Sequence, residues 1–118
     1  MWLEGTTVCR EATWMTSGNP EPVLDSVVAW LRRRSARKIV RDPGSVSARI
    51  GRLRDGYRRP ALWPMSISVT VTAHAEETSV TATVRSDMRM RLGTERGYAR
   101  GVDEILATVR EAAGGTAP

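Results

Sequence analysis

The chain has no phenylalanine, and its 118 residues include one cysteine (Cys9), one histidine (His74) and one lysine (Lys38). Each scarcity excludes something. A lone cysteine cannot close an internal disulfide, so the fold must rest on packing, and a reducing, cytoplasmic setting is the expectation. One histidine and one cysteine cannot assemble a zinc site, and no other residue cluster calls for a metal or cofactor. A cysteine nucleophile would have His74 as its only imidazole base, and nothing in the pattern ties the two together. Aromatic residues make up 5% of the chain, so the core must be built from Val, Leu, Ile, Ala, Met and Trp. No run approaches the roughly 18 apolar residues of a membrane-spanning helix. The opening Met1-Trp2-Leu3-Glu4-Gly5 has neither the basic nor the apolar region of a secretory signal.

The period-two stretch from Met65 to Leu92 is the strongest pattern present. Met65, Ile67, Val69, Val71 and Ala73 alternate with Ser66, Ser68, Thr70 and Thr72. After the polar break 74–78, Val80, Ala82 and Val84 alternate with Thr81, Thr83 and Arg85, and Met88, Met90 and Leu92 keep the apolar parity. Alternation in β-branched residues predicts an antiparallel hairpin with one apolar and one hydroxyl-rich face.

Two helical patterns can cover the apolar face. Asn19-Pro20 marks a helix start, and Val23, Leu24, Val27, Val28 and Leu31 make a stripe with Trp30 at its edge, predicting a helix over 20–37. Tyr98, Val102, Ile105, Leu106 and Val109 predict a second over 95–113, with Thr94 as its cap. Residues 5–15 read as a first strand, with Val8, Ala12 and Trp14 on one face and Arg10 out of pattern. Residues 38–41 and 45–50 read as a short hairpin about Asp42-Pro43-Gly44. Residues 51–64 are irregular. The expectation is a single α+β domain over 1–113: a small antiparallel sheet with two helices packed on one face, in the order (β)-α-β-β-β-β-α, followed by a disordered tail at 114–118.

Catalytic patterns are thin. Ser35-Ala36-Arg37-Lys38 matches S-x-x-K without its companion motifs. Asp103 and Glu104 diverge by about 100° on a helix. Gly93, Gly97 and Gly101 lack the spacing of a phosphate loop. A non-enzymatic role is therefore the expectation. Charge is more informative. The net charge is +5, carried almost wholly by arginine, whose planar guanidinium binds phosphate in bidentate fashion. Residues 32–59 hold eleven of the 18 basic residues against Asp42 and Asp55, with Tyr57 inside this stretch and Trp63 close by. A second group, Arg89, Arg91, Arg96 and Arg100, surrounds the start of the second helix, where cations oppose the helix dipole and an anion would be welcome.

The grip-like segment from Ile67 to Val109, a long hairpin closed by Tyr98, Val102, Ile105, Leu106 and Val109, resembles the helix-grip fold of the START and Bet v1-like superfamily. That resemblance implies a non-enzymatic protein holding an apolar small molecule between sheet and helix, here lined by Ile67, Val69, Val84, Met88 and Val102, or engaging a protein partner. The α-β-β-β-α order of 20–113 also resembles double-stranded RNA-binding domains, without their G-P-x-H loop. It implies a nucleic-acid-binding module using Arg49, Arg52, Arg54, Arg58, Arg59, Arg89, Arg91, Arg96 and Arg100. A free sheet edge would offer a route to a homodimer.

Overall fold

A computed structural model describes residues 7–52, 63–87 and 95–114. Five strands and two helices follow one another as β1 (Cys9–Thr16), α1 (Pro20–Arg33), β2 (Arg37–Asp42), β3 (Ser45–Ile50), β4 (Met65–His74), β5 (Glu77–Ser86) and α2 (Glu95–Ala112). The strands form one antiparallel sheet in the order β1-β5-β4-β3-β2. The class and element order are those the sequence patterns predict. β4 and β5 pair without a break from Met65↔Ser86 to His74↔Glu77, around a two-residue turn at 75–76 in which Ala75 takes a positive φ. The turn is tighter than the five-residue polar break suggested. Thr78, at the end of that break, is instead a buried strand residue whose hydroxyl donates to the Gly18 carbonyl at 2.7 Å. The strand extension expected at Met88, Met90 and Leu92 lies outside the described residues.

Both helices lie on one side of the sheet. α1 packs over β3 and β4, α2 over β5 and β1, and the helices touch each other. The stripe predicted for α1 is the one it buries: Val23, Leu24, Val27, Trp30 and Leu31. Asn19 occupies the cap position with extended backbone, but its side chain does not cap; its carbonyl accepts from Val23 N at 3.2 Å. The helix stops at Arg33, short of the expected 37. Ser35 adopts φ 55°, and Ala36 N turns back to the Leu31 carbonyl at 3.0 Å. Arg37 therefore begins a strand instead of ending a helix. From α2, Tyr98, Val102, Ile105 and Val109 enter the core, along with Ala113 just beyond its end. The Tyr98 hydroxyl donates to the Pro64 carbonyl, satisfying the polar tip of a fully buried ring.

β1 is shifted relative to expectation, running over 9–16. Arg10, out of pattern in the sequence, shares the helix side with Ala12 and Trp14 because Asp103 on α2 meets it at 3.4 Å. Trp14 Nε1 donates to the Ala113 carbonyl at 3.4 Å, and Arg110 lies 5.6 Å over the Trp14 ring. At the other edge, Arg41 faces α1 and pairs with Glu21 and, at 3.6 Å, with Asp25. The Glu21 hydrogen bond, reinforced by the charges of Glu21 and Asp25, raises the Arg41 pKa above its ordinary value. Gly44, at φ 86°, closes the β2–β3 turn, a conformation costly for any residue with a Cβ.

Leu31→Ala, at a fully buried position, is expected to lower stability by about 2–5 kcal/mol. Met15→Ser, at a site 48% exposed, should change it by less than about 0.5 kcal/mol. Urea denaturation with an unchanged slope checks both.

Candidate ligand-binding face

The sheet has a covered side and an open side, and the register assigns each residue to one of them. On the covered side, Val84, Ile67 and Ala48 align across β5, β4 and β3, and Ala82, Val69 and Val46 form the next row. On the open side, Cys9, Arg85, Ser66 and Arg49 form a row across β1, β5, β4 and β3. The next row is Glu11, Thr83, Ser68, Ser47 and Val40, followed by Thr13, Thr81, Thr70 and Ser45. The open face is thus mostly hydroxyl-bearing, with arginines along one end and Glu11 and Val40 closing the row behind them.

A shallow trough of about 460 Å³ runs across this face. It draws residues from all five strands: Cys9, Thr83 and Arg85, Ser66 and Ser68, Ser47 and Arg49, and Lys38. A second depression of about 320 Å³ adjoins it and shares Arg49 and Arg85. Lys38 reaches the trough from a bulge. The β2–β3 register shifts between Arg37 and Val40, and Lys38 itself has φ 52°. A bulge of this kind re-aims a side chain at the rim of a sheet.

The charge of the trough is one-sided. Lys38, Arg49 and Arg85 line it, and among the described residues no carboxylate does. None of the three makes an ion pair among the described residues, in contrast to Arg10 and Arg41. Arg49 and Arg85 stand two strands apart, about 10 Å, with Ser66 between them. Asp87 sits at the margin, in the second depression, where it accepts from the Ser66 hydroxyl. Thr83 donates to Glu11 at 3.4 Å, whereas the hydroxyls of Ser47 and Ser68 have no hydrogen-bond partner among the described residues.

The expected site residues divide accordingly. Ile67, Val69, Val84 and Val102 are 0–2% exposed and belong to the hydrophobic core cluster, Ile67 with Ala48 also borders the trough, and Met88 lies outside the described residues. Of the arginines, Arg49 lines the trough. Arg52, Arg96 and Arg100 are exposed without joining it. Arg54, Arg58, Arg59, Arg89 and Arg91 lie outside the described residues. Lys38, Arg85 and the serines and threonine of the trough were not picked out from the sequence. The signal for most of them was present: they are the polar parity of the strands whose apolar parity drew attention. The bulge that turns Lys38 inward has no comparable signature.

The fold and face together define an α+β two-layer sandwich with an open, basic, hydroxyl-lined sheet. No protein-family model matches the chain, and no curated protein matches it.

Cys9 is exposed on the same face and is the one thiol. It should react with a small aromatic disulfide reagent in the native protein about as fast as in urea. Slow native reaction would contradict an open face.

Proposed function

We propose that this chain is a non-enzymatic binding module that holds a nucleic-acid phosphate backbone on the open face of its sheet. One observation carries the reading: Lys38, Arg49 and Arg85 converge on a trough that no carboxylate lines among the described residues. Cations so placed raise the local potential, and an anion that meets several of them releases its counterions. Serine and threonine hydroxyls beside arginine are common donors to phosphate oxygens. The positions of Arg49 and Arg85 on strands flanking β4 suit such contacts, while Asp87 at the margin, which accepts from the Ser66 hydroxyl, opposes an anion there. The helix-grip reading rests on element order. It would place its apolar ligand among Ile67, Val69, Val84 and Val102, and these side chains would have to part from close packing to admit one.

The test is affinity for short single- and double-stranded DNA and RNA at two salt concentrations. With three phosphate contacts, raising salt from about 50 to 200 mM should weaken binding about fortyfold. Arg49→Ala/Arg85→Ala should reduce that salt sensitivity to about fourfold, with unchanged urea denaturation because both residues are exposed. Absence of binding to every oligonucleotide at the lower salt would contradict the proposal. An apolar ligand that alters the fluorescence of buried Trp14 and Trp30 would favour the helix-grip reading.

A further inference from the structure

We infer that this chain pairs with a second copy of itself, the outer edge of β1 against the outer edge of β1, about a two-fold axis at Ala12. The two edges of the sheet differ. β2, at one edge, is interrupted: its register shifts between Arg37 and Val40, and Lys38 stands there with φ 52°. Bulges and lysines keep an edge strand from recruiting another chain. β1, at the other edge, has neither, and no proline. It runs in unbroken register with β5 from Cys9 to Thr16. Its inward charge, Arg10, is matched by Asp103 at 3.4 Å. Among the described residues no strand covers its outer side.

The backbone decides which residues can pair. Ser86 N donates to the Val8 carbonyl, so the even-numbered residues of β1 bond to β5. Cys9, Glu11, Thr13 and Met15 turn their backbone N–H and C=O groups outward. Two such strands in antiparallel array match outward residue to outward residue. Setting Glu11 opposite the partner's Thr13, and Cys9 opposite the partner's Met15, uses nearly the whole strand and makes about eight hydrogen bonds. The small Ala12 then faces its own copy. Moving the axis one residue toward the N-terminus would set Glu11 against Glu11, a pairing of like charges.

The helix above β1 supports the same axis. Asp103 meets Arg10 near one end of the strand, and Arg110 lies 5.6 Å over the Trp14 ring near the other. Ala12 therefore lies beneath Leu106 and Ala107, midway between them. Ala99, Asp103, Leu106 and Arg110 recur at spacings of four and three, which is one stripe of a helix, and Ala99 and Leu106 are only partly buried. Because α2 overlies both β5 and β1, the two copies of α2 stand two strand spacings apart, about 10 Å, where helices pack. They run antiparallel, with Leu106 near the axis and each Asp103 opposite the partner's Arg110. The Asp103 side chain is 59% exposed in the single chain, with room for a second cation. Arg110 Nε is buried with no hydrogen-bond partner among the described residues. A buried donor left unmet costs stability, and the pairing brings the partner's carboxylate to that guanidinium. The surface is thus complementary to itself, as a two-fold interface requires. The axis stands perpendicular to the sheet, so both helix layers share one side and both troughs open on the other. The pairing does not depend on what the open face binds.

Sedimentation equilibrium of the full chain should give twice the 13.0 kDa of one copy. The register sets the two Cys9 Cα atoms about 20 Å apart, and nitroxide labels on this one cysteine should report a single distance near that value. Thr13→Pro removes an outward N–H that β5 does not use, so it should abolish the dimer and leave the far-UV circular dichroism unchanged. Arg110→Gln should weaken the dimer about tenfold, because the axis makes each substitution count twice. A chain that stays at 13.0 kDa from micromolar to millimolar concentration would overturn the inference. So would labels far from about 20 Å, or a dimer indifferent to both substitutions. The distance is read on the unsubstituted chain, so it decides the register whatever the proline does to the fold.

Discussion

Strand side chains alternate, so a one-residue slip in this sheet would carry Val84 into water and Arg85 into the core. The continuous pairing of β4 with β5 and of β3 with β4 is therefore the constraint on which the molecule depends. It is enforced from one side. Val46, Ile67, Val69, Val80 and Val84 are buried beneath Leu24, Val27 and Leu31 of α1 and Val102, Ile105 and Val109 of α2. At about 25 cal/mol for each Å² of apolar surface removed from water, exposing such a face would cost far more than a domain's net stability. The open face inherits its order from that burial: its hydroxyls and cations stand in rows because the residues between them are locked.

This arrangement separates the charges into two kinds. Arg10 meets Asp103 and Arg41 meets Glu21 and Asp25, each tying an edge strand to the helix that overlies it. These exposed pairs add little stability individually, but they mark the margins of the covered side. Lys38, Arg49 and Arg85 lie on the other side and have no acidic partner among the described residues. A composition dominated by arginine thus resolves into residues that hold the two layers together and residues left for something else. Net charge alone could not distinguish the two.

The fold was legible where burial imposes a period. The alternation of β4 and β5 and the stripes of Val23–Leu31 and Tyr98–Val109 gave class, order and layering, because only one side of each element can be apolar. Element ends were less legible. Arg37 looked like the last turn of a helix because cations suit that position, yet Ser35 in the left-handed region ends α1 and sends Arg37 into a strand. Arg10 broke the pattern of β1 because its partner, Asp103, is distant in sequence. The candidate site was half legible. Arg49 was marked by its basic neighbourhood, but clustering in sequence is a poor guide to convergence in space. Arg52, Arg96 and Arg100 are exposed without joining the trough, while isolated Arg85 completes it through strand register.

The central claim is that the two sides of one sheet divide the labour, with the covered side providing only packing and the open side meeting the ligand. A methyl-resolved NMR titration of the protein with a short oligonucleotide tests this most directly, because threonine and valine methyls alternate along β4 and β5. The account predicts that the methyls of Thr70, Thr81 and Thr83 shift as the oligonucleotide is added, while those of Ile67, Val69, Val84 and Val102 stay in place. Shifts concentrated on the four core residues, with the threonines unmoved, would contradict it.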